Sequence, residues 1–313
     1  MYLTYLLPDS IAQTTVLFMD GSRPSRAYPE TLNPLVNCVE TAASTLNISL
    51  ESTLERLIEK AGRAGILVSE DHCRQFLMYH ELLEEHRQRA NLTSITGLER
   101  VRDDLFLRSL EIAAALDPVE RGRSFGGGSR LLDVGTGAGF PGLPLAIVFP
   151  GTKVTLLDGT RKKTDFLSVV VEALGLEDVE VVNGRAEELA RNAEHRESYD
   201  IVTSRALAAL PELAELTIPF CKVGGMSVAL KGSDIRGEAK SAASAAAQMG
   251  ASTGLLRTVN LGMRPQYDTV VVWRKTTPTP SQFPRRTGIP HKRPLGVPET
   301  TRVKRPPSTE GRA

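Results

Sequence analysis

The ten residues Asp133-Val-Gly-Thr-Gly-Ala-Gly-Phe-Pro-Gly142 constrain this chain more than any other stretch. They follow a short apolar run, Leu131-Leu132, and open into a second one, Leu143 to Phe149, with helical potential. A strand, a glycine turn and a helix start in that order form the corner where α/β proteins hold an adenosine-containing cofactor. The glycines admit positive φ and let a ligand approach the backbone closely. Pro141 suits a first helical turn, where its missing N–H costs nothing.

The spacing of Gly137, Gly139 and Gly142 also satisfies G-x-G-x-x-G, so a dinucleotide site and a ligand-free turn stay open. Asp133 favours S-adenosylmethionine. A carboxylate two residues before the first glycine of the turn, Gly135, can receive a cationic methionine end, whereas it would repel a pyrophosphate. The next strand, Val154-Thr-Leu-Leu-Asp158, ends in an acid 19 residues after Gly139, placed for ribose hydroxyls of either cofactor. The candidate cofactor residues in this segment are Asp133, Gly135, Thr136, Gly137, Gly139, Phe140 and Asp158.

Alternation of strand and helix continues from Arg130. Strands are predicted at 130–134, 153–158, 179–183, 199–204, 226–230, near 254–261 and at 268–274. Helices are predicted at 141–149, 161–174, near 185–193, at 210–220 and 234–249. This pattern implies a parallel sheet covered by helices on both faces. No helix separates the last two strands, so a final antiparallel pair is predicted, which is the seven-stranded methyltransferase arrangement. Upstream, Leu54, Leu57, Ile58 and Ala61 recur at helical spacing up to Gly62. Ser69 caps a second helix with Cys73, Phe76, Leu77 and Leu83 on one face. A third helix, about 98–116, is predicted to end at Pro118. The expected division is therefore an extension at 1–50 (with Met19 as a possible start), a helical region at 51–125, a catalytic domain at 126–275 and a basic Pro-rich tail at 276–313.

No apolar stretch reaches the roughly 18–20 residues that a membrane helix needs. Cys38, Cys73 and Cys221 are isolated, and the five histidines form no ligand-like cluster. A reducing, cytoplasmic setting without a metal is the expectation. The formal net charge is +1, yet residues 274–313 carry ten Lys/Arg against two Glu, leaving −7 on the rest. A basic tail on an acidic body suggests a polyanionic partner.

Several separated motifs resemble one family, the bacterial guanine-N7 methyltransferases of small-subunit ribosomal RNA, also called glucose-inhibited division protein B. They are Asn91-Leu-Thr-Ser94, the stretch 133–150, Leu156-Leu-Asp158 with Lys162-Lys163, Arg185-Ala-Glu187, Ser204-Arg-Ala206, Lys222-x-Gly-Gly225 and Lys231-Gly232. The ending Phe283 to Leu295 is similar as well. The resemblance implies a class I S-adenosylmethionine-dependent fold and methylation of one guanine, position 527 of standard 16S ribosomal RNA numbering. The substrate would be that RNA or the small ribosomal subunit, and the enzyme a monomer. It also implies cofactor contacts at Gly135, Phe140, Ala186, Glu187 and Arg205. Arg205 and Lys231 are the candidates for holding the base or a neighbouring phosphate. Arg161, Lys162, Lys163, Arg285, Arg286, Lys292 and Arg293 are the candidate RNA contacts, the last four expected to be exposed. A non-catalytic assembly factor and a nicotinamide-dependent oxidoreductase are the alternatives.

One departure stands out. The family usually carries a basic residue and His, then Asp-Ser, in the helix before the catalytic domain. Here the stretch is Asp104-Leu-Phe-Leu-Arg108-Ser109, in which only Ser109 matches. Those positions lie outside the cofactor motifs, so catalysis itself is expected to be kept.

Overall fold

The computed structural model describes residues 53, 55–232, 235–252, 254–261 and 268–297, apart from the side chains of Arg89, Ala90 and Arg236. The expectations for the 1–50 extension, for Met19, for Leu54 and for the end of the tail lie outside those residues. Helix α1 spans residues 55–63. It is followed by α2 (Glu70–Ala90), α3 (Leu98–Val101), a π-helical turn (Arg102–Leu107), α4 (Arg108–Ala114) and α5 (Pro118–Ser124). The alternating part then runs β1 (Arg130–Val134), α6 (Gly142–Val148), β2 (Lys153–Asp158), α7 (Arg161–Ala173), β3 (Val179–Asn183), α8 (Ala186–Leu189), β4 (Tyr199–Arg205) and α9 (Leu210–Thr217). It closes with β5 (Cys221–Lys231), α10 (Arg236–Gln248), β6 (Leu255–Val259), β7 (Asp268–Arg274) and the short α11 (Ile289–Lys292).

The seven strands form one sheet in the order β3-β2-β1-β4-β5-β7-β6. The first five are parallel, and β7 runs antiparallel to both of its neighbours. Chain order would have put β6 beside β5; instead β7 inserts between them. The strand expected at 226–230 is longer, and Lys222 to Gly225 belong to β5.

Strand side chains alternate between faces with period two, and both faces of this sheet are covered. Leu131, Leu156, Ile201, Val228, Leu230, Val270 and Val272 share one cluster with α2, α4, α6 and α7. Their neighbours Leu132, Leu157 and Val202 pack on the other side with Tyr199 and Phe220, and Ala229, Val271 and Trp273 pack there with α9 and α10. The helical region therefore shares its core with the sheet, and the boundary expected at 125/126 separates no cores.

Local signals explain the helix ends. Ser69 Oγ accepts from His72 N at 3.2 Å, and His72 Nδ1 accepts from Ser69 N at 3.3 Å, so each satisfies a donor of the other. Asn91, first residue of a family-like motif, ends α2 in the left-handed conformation at φ 48°. The buried face of α2 is Cys73, Phe76, Tyr79 and Leu83; Leu77 is only half-buried and Tyr79 takes its place. Pro118 starts a helix rather than only ending one. Asp117 caps α5, accepting from Val119 N and Glu120 N at 3.0 and 2.9 Å, and Pro118 fills the first position, where no N–H is needed.

Glu120 ties α5 to the far edge of the sheet. Its carboxylate accepts from Arg257 of β6 and Arg274 of β7. Hydrogen bonding from Arg257 is the main cause that holds this carboxyl down at about 2. A depressed value contributes stability above the unfolded-state carboxylate range, lost as pH falls toward about 2. Glu120→Gln is expected to cost about 1–3 kcal/mol in urea denaturation at pH 7. The difference should shrink steadily between pH 5 and pH 2; a penalty independent of pH would contradict the ion-pair account.

Candidate active site

The glycine turn sits at the carboxyl edge of the sheet, between β1 and α6. Gly135 N and Thr136 N both donate to Leu157 O of β2, at 2.8 and 3.1 Å. Gly139 has φ 104°, and a Cβ there would stand 2.4 Å from Leu143 Cδ1 and 2.6 Å from Tyr79 Oη. No side chain is tolerated at that close approach.

Asp133 is fully buried beneath the turn. One carboxylate oxygen accepts from Gly142 N at 2.9 Å, and the other accepts from the Thr203 hydroxyl at 3.0 Å. Burial raises this carboxyl to about 6, opposed by the Thr136 hydroxyl, by the hydrogen bonds from Gly142 and Thr203 and by the nearby Arg205. Asp158 ends β2 as expected. Its carboxylate accepts from Gly137 N at 3.0 Å and from Thr160 N at 2.8 Å, joining the turn to the start of α7.

Phe140 packs inside an aromatic group rather than standing alone as a pocket wall. Its ring stacks on Tyr79 with centroids 5.2 Å apart, and Phe106 lies 6.2 Å away. The Tyr79 hydroxyl donates to Ala138 O within the turn itself. Neither Tyr79 nor Thr203 was singled out from the sequence. Tyr79's only sequence signal is its helical spacing from Cys73 and Phe76.

Arg205 ends β4. Its guanidinium carbon lies 5.2 Å from the Phe140 ring centroid, and Nη1 donates to Asp104 O at 3.3 Å. Burial first, and the Arg108 charge second, lower Arg205 to about 10, so it stays cationic near neutral pH. The stretch 104–109, outside the cofactor motifs in sequence, meets them in space: the Asp104 carbonyl holds Arg205. Arg108 makes a two-pronged ion pair with Asp268 at the start of β7, at 2.7 and 3.0 Å.

Other candidates are placed differently. Lys231 donates to Ala208 O at 3.1 Å and pairs with Glu238 at 3.2 Å. Glu187 is buried and accepts from Gly288 N at 2.9 Å, while Ala186 opens the one-turn α8 beside it. Arg285, expected to be exposed, instead forms a two-pronged pair with fully buried Glu215, at 2.6–3.0 Å. A buried carboxylate demands such a partner. Arg286, Lys292 and Arg293 are exposed. Residues 276–297 are not a loose tail: Arg196 donates to Thr279 O and Phe283 O at 2.8 Å each, and Arg191 donates to Pro284 O. Arg161 and Lys162 are exposed at the start of α7 and Lys163 half so. Arg161 pairs with Asp165 at 2.9 Å.

Sheet order and glycine turn together define the class I S-adenosylmethionine-dependent methyltransferase fold. The family described as "GidB: rRNA small subunit methyltransferase G" matches residues 72–262. "Ribosomal RNA small subunit methyltransferase G" of Dehalococcoides mccartyi strain CBDB1 is 40% identical over 242 residues, covering 77% of this chain and 100% of that relative. The protein of the same name from Leuconostoc mesenteroides is 39% identical over 243 residues, covering 78% and 99%. The chain belongs to this family. Among solved structures, a predicted O-methyltransferase of Agrobacterium tumefaciens is similar with TM-score 0.43 and 18% identity, over 54% of this chain and 81% of that one. Aeropyrum pernix fibrillarin, solved with S-adenosyl-L-methionine, gives TM-score 0.39 and 14% identity, over 48% and 68%.

The Arg108–Asp268 pair occupies a position where the resemblance leads one to expect an acid in place of Arg108. Reversing either member alone, Arg108→Asp or Asp268→Arg, is expected to cost about 2–4 kcal/mol by leaving like charges together in a half-buried site. The double reversal should recover most of that loss in a double-mutant cycle. Additive losses would show that the two side chains do not interact.

Proposed function

We propose that the protein methylates N7 of a single guanine in 16S ribosomal RNA, with S-adenosylmethionine as donor, acting as a monomer on the RNA or the small ribosomal subunit. The observation that carries this proposal is the meeting, at one sheet edge, of the glycine turn, two acids and a fixed cation. Asp133 stands one residue before the end of β1, and Asp158 and Arg205 end β2 and β4. That donor set fits a zwitterionic nucleoside better than a pyrophosphate. Asp158 suits ribose hydroxyls, residues 135–139 and Asp133 suit the methionine end, and Ala186 with Glu187 suits the adenine edge. The buried Ser204 hydroxyl beside Arg205, without a hydrogen-bond partner among the described residues, adds a polar group to that edge.

Bound S-adenosylmethionine supplies an electrophilic methyl group. Guanine N7 has an unshared pair and no proton, so no residue of the chain has to act as a strong base there. Its residues contribute position and electrostatics. Arg205 is the residue proposed to contact guanine O6, a phosphate or the cofactor. It cannot occupy N7, which must stay open to the methyl group. Lys231 acts from behind, on the loop that follows Arg205. Arg161, Lys162 and Lys163, together with Arg286, Lys292 and Arg293, suit phosphate contacts that position the RNA without reading its sequence. Arg285 is left out because Glu215 holds it.

Incubation with tritiated S-adenosylmethionine and unmethylated small subunits is expected to label N7 of one guanine. Arg205→Ala should lower turnover by about 100-fold or more. Tight RNA binding without label would favour the assembly-factor alternative, and NADH binding without label the oxidoreductase.

Asp133 gives a pH-dependent outcome. Its folded-state value is raised, so its contribution to folding is present at low pH and is lost as pH rises through about 6. Cofactor affinity should run the opposite way, weakening as pH falls below 6 and the negative charge disappears. Asp133→Asn keeps both hydrogen bonds, because Asn can accept from Gly142 N and donate to Thr203 Oγ1. Calorimetry on this variant should show weak donor binding with no step near pH 6. Wild-type affinity that is flat from pH 5 to 8 would remove Asp133 from the cofactor site.

A further inference from the structure

The loop between β4 and α9 carries chemistry that the cofactor motifs do not explain. Ala206, immediately after Arg205, has φ 52°, in the left-handed region. A residue with a Cβ pays roughly 1 kcal/mol or more to stay there. Leu207 follows, and its Cδ1 lies 2.5 Å from where a Cβ on Gly135 would stand, with Cγ and Cδ2 at 3.2 Å. The leucine is thus fitted directly onto the first glycine of the turn, and a Cβ at Gly135 would push it aside.

Two side chains from outside the loop fix its far end. Lys231, the last residue of β5, donates from Nζ to Ala208 O at 3.1 Å. Glu238, in the first turn of α10, accepts from Leu210 N at 2.7 Å. The same carboxylate oxygen stands 3.2 Å from Lys231 Nζ. The start of α9 shows why Glu238 is needed. Helix α9 has Ala209 at its cap position, without a side-chain acceptor, and Pro211 next to Leu210 has no N–H to offer. Glu238 supplies the missing cap from another element. Lys231 neutralises that carboxylate and holds the preceding carbonyl.

We propose that Lys231 and Glu238 are positioning residues, a clamp on residues 206–209 that presses Leu207 against Gly135 and so sets the affinity of the glycine turn for its donor. The proposal rests on the methyltransferase function given above. Neither side chain of the pair touches a reacting atom; both act through the loop. Preorganising that loop removes an ordering cost from ligand binding.

Donor binding is measured by calorimetry with S-adenosylmethionine and S-adenosylhomocysteine on the full chain. Steady-state kinetics and thermal unfolding are run on the same samples. Lys231→Met and Glu238→Gln are each expected to weaken binding about tenfold, through the lost preorganisation. KM for the donor should rise by a similar factor, with a smaller change in kcat and none in KM for RNA. The conservative variant Lys231→Arg, which keeps a donor for Ala208 O and a positive charge beside Glu238, should retain most of the affinity. A purely structural pair would lower the melting temperature without this split between KM and kcat. Leu207→Ala tests the same link without touching the pair, and should weaken donor binding to a similar degree. No binding by the wild-type chain overturns the cofactor assignment and the clamp with it. Wild-type binding together with unaltered affinity in folded Lys231→Met and Glu238→Gln, or in Leu207→Ala, overturns the clamp alone.

Discussion

The buried carboxylate of Asp133 is the contact on which the rest of the arrangement depends. It leaves β1, accepts from the first N–H of α6 at Gly142 and from the Thr203 hydroxyl on β4. One side chain therefore fixes the exit of the first strand, the entry of the first crossover helix and the neighbouring strand. An acid so placed carries a desolvation cost, visible in its raised value of about 6. Two hydrogen bonds and the Arg205 charge offset that cost. The glycine turn can then stand out at the sheet edge, while its own N–H groups are held by Leu157 O and Asp158.

Much of this was legible in the sequence, for a physical reason. Strands β1 to β4 alternate with helices over short connections, so periodicity and turn residues mark their limits closely. Ser69 and Asp158 announce themselves through local chemistry, a cap before a helix and an acid ending an apolar strand. The contacts that complete the site are not local. Tyr79 meets Ala138 across 59 residues, and Thr203 meets Asp133 across 70. Nothing within a helical or strand period reports such partners. The place of β7 between β5 and β6 belongs to the seven-stranded methyltransferase arrangement and not to any local period, since pairing order is decided by the core that both strands must cover.

Proline and charge were the two signals with double meanings. Pro118 ends one helix and begins the next, because the missing N–H that disfavours a helix interior is harmless at a first position. Asp104 and Arg108 stand in sequence as a departure from family residues in the helix before the catalytic domain. In three dimensions the Asp104 backbone carries Arg205, and Arg108 is paired with Asp268. What matters at these positions is complementarity of charge across α4 and β7, which a different pair of residues can satisfy.

The basic C-terminal region shows how charge counts in a sequence overstate what is free to bind. Of its cations, Arg274 is committed to Glu120, Lys275 to Glu197 and Arg285 to Glu215. Each of these contacts draws the segment onto an acid that is itself half-buried or buried, so the charges are spent on folding. Arg286, Lys292 and Arg293 remain at the surface of a segment whose backbone is held by Arg191, Arg196 and Glu187. A few cations on a fixed backbone lose less conformational freedom on meeting a phosphate chain than many on a loose one. The pairing of Arg285 with Glu215 thus removes one charge from the binding face and gives the others a defined place from which to act.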